Sequence, residues 1–126
     1  MLKYCTTICI ILLSQYIFAQ KLVPIDSVST YVGQTIKVCD KVAGTFLTKS
    51  DKPLTYLNLG ADHPKAKLTI VIFHKDLINF PLAPSDHYKG MNICIIGEVT
   101  VYKDRLQIIA NRSDQIAVSY THLSVP

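Results

Sequence analysis

Charge is sparse in this chain of 126 residues: 17% of them are charged and 49% are hydrophobic, which excludes an intrinsically disordered polymer and a low-complexity array. Glutamate occurs only at Glu98, and arginine only at Arg105 and Arg112, all in the last third of the sequence. Phosphodiester hydrolysis needs acidic metal ligands, a carboxylate base and arginines over the developing charge, and no such set stands in the first two thirds. Long apolar runs are missing too. Outside the N-terminus none reaches the roughly 18 residues that cross a bilayer, so a multi-pass membrane protein is excluded. The histidines, His63, His74, His87 and His122, stand at spacings unlike those of zinc or iron sites. No serine sits in a nucleophile-elbow context. Neither a metal nor a cofactor is expected, there is no internal repeat, and the chain reads as non-enzymatic.

What is present begins with an export signal. Lys3 supplies the positive end, Ile8 to Leu13 the apolar stretch, and Tyr16-Ile17-Phe18-Ala19 a tail ending on a small residue. Cleavage is expected after Ala19, which leaves residues 20–126 as one domain. Ile17 is large for its place two residues before such a cut, and a retained anchor is the alternative. Ser14 and Gln15 interrupt the apolar stretch, and neither Cys5 nor Cys9 follows the small-residue motif of a bacterial lipoprotein. Loss of Lys3 lowers the net charge of +4 by one, so the remaining chain is mildly basic. Cys39 and Cys94 then stay together in an oxidising compartment, periplasmic or secreted, where a pair reads first as a disulfide.

Short strands follow, with helical interruptions. Ile25, Val28 and Val32 recur at helical spacing between cap-type residues and Gly33, which predicts a short helix over residues 26–33. Residues 35–48 alternate, with Ile36, Val38 and Val42 inward against Lys37, Cys39 and Lys41, and Gly44 marks a bend. Residues 54–60 form a second strand, Leu57 and Leu59 on one face, Tyr56 and Asn58 on the other. Residues 68–73 form a third: Leu68, Ile70 and Ile72 share a face, opposite Lys67, Thr69, Val71 and Phe73. Over residues 75–90 Asp76 is placed to cap a turn of helix covering Leu77, Ile78 and Phe80, stopped by Pro81 and Pro84. Residues 91–102 alternate again, with Ile93, Ile95, Val99 and Val101 against Cys94, Ile96, Glu98 and Tyr102, and Gly97 marks a second bend. Lys103-Asp104 turns tightly into a fifth strand at residues 105–109.

Strand, strand, strand, short helix, strand, strand, with glycines inside the two long strands, is the layout of the five-stranded OB-fold barrel, an all-β class. A sandwich needs about seven strands, more than this chain has room for. The runs 31–39, 56–60, 68–73 and 89–97 resemble small exported bacterial proteins of the nucleic-acid-binding OB-fold superfamily. The resemblance spans nearly all of residues 28–116 and implies nucleic-acid binding, although the fold also takes oligosaccharides and small molecules.

On the OB-fold plan a ligand crosses strands two and three between the loops that join strands one and two and strands four and five. That plan gathers Lys49 and Lys52, then Tyr56, Asn58, Lys67, Thr69 and Phe73 on the sheet, and Tyr102, Lys103 and Arg105 in the far loop. Rings stack bases and cations follow phosphates, so single-stranded nucleic acid is the leading partner. A protein, small molecule or glycan bound by an interaction or stress module on the same face is the alternative. His63 lies in a loop near the groove and reads as a solvated loop residue. The plan also pairs strands one and four antiparallel with Cys39 and Cys94 at the same outward parity, which predicts their disulfide; two separate small thiols are the alternative.

Overall fold

The computed structural model describes residues 20–119. The expected signal at residues 1–19 and His122 lie outside the described residues. The strands are β1 (Lys21–Leu22), β2 (Thr35–Leu47), β3 (Thr55–Leu59), β4 (Leu68–Ile72), β5 (Asn92–Tyr102), β6 (Arg105–Ile109) and β7 (Ile116–Val118). The first half of β2 pairs antiparallel with β5 and its second half with β3. β3 continues antiparallel to β4, β4 parallel to β6, and β6 antiparallel back to β5. The circuit β2–β3–β4–β6–β5 therefore closes on itself as an OB-fold barrel.

The strand count exceeds the expected five by two short additions. β1 runs parallel to β2 at Ile36 and Lys37, and β7 runs antiparallel to β5 at Ile93 to Ile95. Neither exceeds 3 residues, too short for a period-two pattern to show, and each is held by backbone groups of a longer neighbour.

The inward positions read from alternation are buried: Ile36, Val38 and Val42 of β2, Leu57 and Leu59 of β3, Leu68, Ile70 and Ile72 of β4, and Ile93, Ile95 and Val99 of β5. Burying each such side chain is worth about 1.5–3 kcal/mol, the main return for closing the barrel. Val101, expected on that face, is 53% exposed, because β5 has by then run past the core into its hairpin with β6. Both predicted bends have a physical cause. The β2–β3 register shifts between Val42 and Gly44, a bulge that turns the rest of β2 over. At Gly97 a Cβ would stand 2.4 Å from Ile108 Cγ2, so closure at that corner requires glycine.

The expected helix at residues 26–33 forms over Ile25–Tyr31 as a 3-10 helix, with Val28 driven into the core. Ser, Val and Thr are indifferent α-helix formers, and about two tight 3-10 turns accommodate them. Residues 75–90 give two short helices, a 3-10 helix at His74–Asn79 and α1 at Pro84–His87, which has Pro84 in its first turn. Asp76 sits inside the first of these and caps nothing; the N-cap is Phe73, without a side-chain bond. Phe80 and Tyr88 are buried, whereas Ile78 is 89% exposed. Burial raises the pKa of the Tyr88 hydroxyl. Among the described residues no helix is long and apolar enough to cross a membrane.

Cys39 of β2 lies directly opposite Cys94 of β5, with Cα atoms 4.0 Å apart, and the two form the disulfide. The bridge ties the two long strands where the barrel closes.

Candidate functional site

The bulge in β2 organises the outer face. Beyond it, two rows of directly opposed residues cross the sheet. Gly44, Asn58, Thr69 and Gln107 make one; Phe46, Tyr56, Val71 and Ile109 make the next. The first row is polar and the second apolar. From these rows Phe46, Tyr56, Asn58, Thr69, Val71 and Gln107 floor a cleft of about 550 Å³, walled by Asp62 and His63 from the β3–β4 loop and by Tyr102, Lys103 and Arg105 from the β5–β6 hairpin.

Each wall has a local cause. Lys103 and Asp104 take φ of 50° and 63°, the two positive values of a two-residue hairpin turn, which places Tyr102 opposite Arg105. The Lys103 ammonium stands 5.4 Å from the Tyr102 ring centroid. On the other side the Phe46 and Tyr56 rings are nearly parallel, 11° apart in plane with centroids separated by 6.3 Å, and Phe46 is 52% exposed. Such faces offer stacking area at little conformational cost.

A hydrogen-bonded chain runs along the polar row. Thr69 Oγ1 donates to Asn58 Oδ1 at 3.0 Å, and Asn58 Nδ2 donates to Asp62 Oδ1 at 3.3 Å. The backbone N–H of His63 donates to the same Asp62 oxygen at 2.8 Å. The Asp62 carboxylate lies directly on the backbone of Gly44, where a Cβ would come within 2.1 Å of Oδ1. Arg105 Nη1 stands 3.1 Å from His63 Nδ1, within hydrogen-bonding distance. The His63–Pro64 peptide bond is cis.

Of the sequence-predicted site residues the cleft collects Tyr56, Asn58, Thr69, Tyr102, Lys103 and Arg105. Lys49 and Lys52 lie exposed in the β2–β3 loop, outside the cleft lining. Phe73, just past the end of β4, is the N-cap of the 3-10 helix at His74–Asn79 and also lies outside it. Lys67 is turned away: its stem packs over Gly60, and its ammonium pairs with Asp26 of the first 3-10 helix. That hydrogen bond and charge raise the Lys67 pKa above its ordinary value.

Sequence reading missed Thr45, Phe46, Asp62, Val71 and Gln107 as lining residues, and put His63 near the groove but read it as a solvated loop residue, whereas it lines the cleft and bonds Arg105. Gln107 shares the parity of Arg105 and was reachable from alternation. Phe46 was hidden by the bulge, which moves it from the face that unbroken alternation from Val42 assigns to it. Asp62 and His63 sit in a loop, where no periodicity exists to read. Among the described residues no three His, Cys, Asp or Glu side chains gather as for a metal ion.

No protein-family model matches the chain, and no curated protein matches it. Solved structures do resemble it. One chain in the crystal structure of yeast Stn1 and Ten1 superposes with a TM-score of 0.59 at 12% identity, over 87% of this chain and 68% of that one. A putative aspartyl-tRNA synthetase from Leishmania major Friedlin gives a TM-score of 0.52 at 12% identity, over 83% of this chain but only 22% of that one. An OBody, AM1L10, bound to hen egg-white lysozyme gives 0.49 at 12% identity, over 82% and 97% of the respective chains. At 12% identity the first two speak for the architecture alone, and that architecture is the OB-fold.

Proposed function

We propose that the protein is an exported, non-enzymatic OB-fold binding module that takes single-stranded nucleic acid across β3 and β4. The observation that carries the reading is the pairing of ring faces with cations in one cleft: Phe46 and Tyr56 on its floor, Tyr102, Lys103 and Arg105 on a wall. Bases stack on rings at about 1–3 kcal/mol each, and cations at the rim follow the phosphates. Export is supported by the Cys39–Cys94 disulfide, a bond that persists in oxidising compartments.

A glycan is the second reading, favoured by the polar row of Asn58, Asp62 and Thr69 beside flat aromatic faces. Titration of the protein with labelled oligonucleotides and oligosaccharides at rising salt separates the two. A phosphate-tracking cleft loses affinity steeply with salt, whereas a glycan site holds its affinity. Oligosaccharide binding without oligonucleotide binding would replace the first reading with the second.

A further inference from the structure

A carboxylate in the wall of a cleft meant for a polyanion needs a reason. Asp62 accepts two hydrogen bonds, from His63 N at 2.8 Å and Asn58 Nδ2 at 3.3 Å, and both go to Oδ1. Its Oδ2 takes part in no hydrogen bond among the described residues, and neither Lys103 nor Arg105 pairs with it; the Arg105 guanidinium is turned to His63 instead. The group is nonetheless held in place. Asn58, 4% exposed, anchors it from β3, and the bare backbone of Gly44 gives it room. A fixed carboxylate with a free oxygen repels phosphate and calls for a ligand group that presents N–H donors.

Resting on the nucleic-acid reading, we propose that Asp62 reads the donor edge of a guanine base. Guanine presents N1–H and one N2–H side by side, two adjacent donors with no acceptor between them, and Oδ2 has two free acceptor sites to offer that edge. Adenine and cytosine each show one amino group beside an acceptor nitrogen. Thymine and uracil show one N–H between two carbonyl oxygens, and those lone pairs face the carboxylate. The rest of the cleft fits the same pose. The base lies against the aromatic rings, the phosphates stay at the rim with Lys103 and Arg105, and Gln107, the neighbour of Thr69 in the polar row and part of the cleft lining, carries an amide donor for the guanine O6.

The test is fluorescence anisotropy with short thymidine strands carrying one central thymine, guanine or hypoxanthine, the last being guanine without its N2 amine. The guanine strand is expected to bind about tenfold or more tighter than all-thymidine, as a well-formed pair of base contacts gives. Hypoxanthine should lose most of that gain. In Asp62→Asn, checked for folding by circular dichroism, the guanine preference is expected to vanish while affinity for all-thymidine rises, because a negative charge has left the cleft. Gly44→Ala, which displaces the carboxylate without removing it, is expected to weaken the preference as well. Equal binding of all three strands by the native protein would overturn base reading and leave the nucleic-acid reading standing. No binding of any strand would overturn both. A uniform loss in Asp62→Asn, with the guanine preference intact, would make Asp62 a structural support only.

Discussion

Thr55 opens β3 on the inward parity, 1% exposed, and its hydroxyl finds no hydrogen-bond partner among the described residues. A buried donor without a partner carries its full desolvation cost, about 1–3 kcal/mol. Valine has the same shape without the hydroxyl and suits a strand equally well. Thr55→Val is therefore expected to raise unfolding stability by about 1 kcal/mol, read as a higher urea midpoint at constant slope. An unchanged or lower midpoint would mean that the hydroxyl is satisfied in solution. Asn58 is the contrasting case: equally out of reach of solvent, it has both ends of its amide bonded, to Thr69 and Asp62.

Two cross-links tie elements that neighbour each other only in space. The Cys39–Cys94 bond joins β2 to β5 across a sequence separation of 55. Closing a loop of that length in the unfolded chain removes entropy equivalent to about 4 kcal/mol, and reduction is expected to lower unfolding stability by up to that amount. Alkylation without reduction, followed by mass spectrometry, should find neither thiol labelled. The second tie is Lys67 to Asp26, which fastens the first 3-10 helix to the start of β4. Since the folded pKa of Lys67 is raised above 10.5, its contribution is complete below that value and is lost as pH rises through the folded pKa. The difference in melting temperature between the native protein and Lys67→Met should accordingly be flat through neutral pH and shrink in strongly alkaline buffer. A difference that persists there would assign the effect to packing of the lysine stem over Gly60.

The net charge of the whole molecule, +4 with residues 1–19 included, is too small to hold a polyanion by itself, so the placement of the cations matters more than their number. Lys103 and Arg105 stand in the cleft, while Lys67 is spent on Asp26 and Lys49 and Lys52 lie outside the lining. Reversing Lys103 and Arg105 to Glu is expected to reduce the salt slope of oligonucleotide binding by about one unit per residue. Reversing Lys49 and Lys52 should leave the slope as it is. The opposite pattern would move the phosphate path to the β2–β3 loop.

Alternation identified the barrel strands and most of their buried positions, because period-two patterning is imposed by a core that covers one face of every strand; the closing disulfide needed in addition the pairing of the first and fourth expected strands that the OB-fold layout supplies. The Lys103-Asp104 turn was legible for a similar reason, since a tight hairpin has local chemistry. Tertiary structure decided the rest. The bulge at Gly44 turned Phe46 onto the face of Tyr56, a flip that depends on how β2 pairs with β3. Folding brought Asp62 onto Gly44 and His63 onto Arg105, contacts between a loop and strands distant in sequence that leave no periodic trace. Lys67 carried the right parity for the cleft and was drawn away by Asp26, because a flexible side chain follows the nearest opposite charge, and that charge is brought near only by the fold.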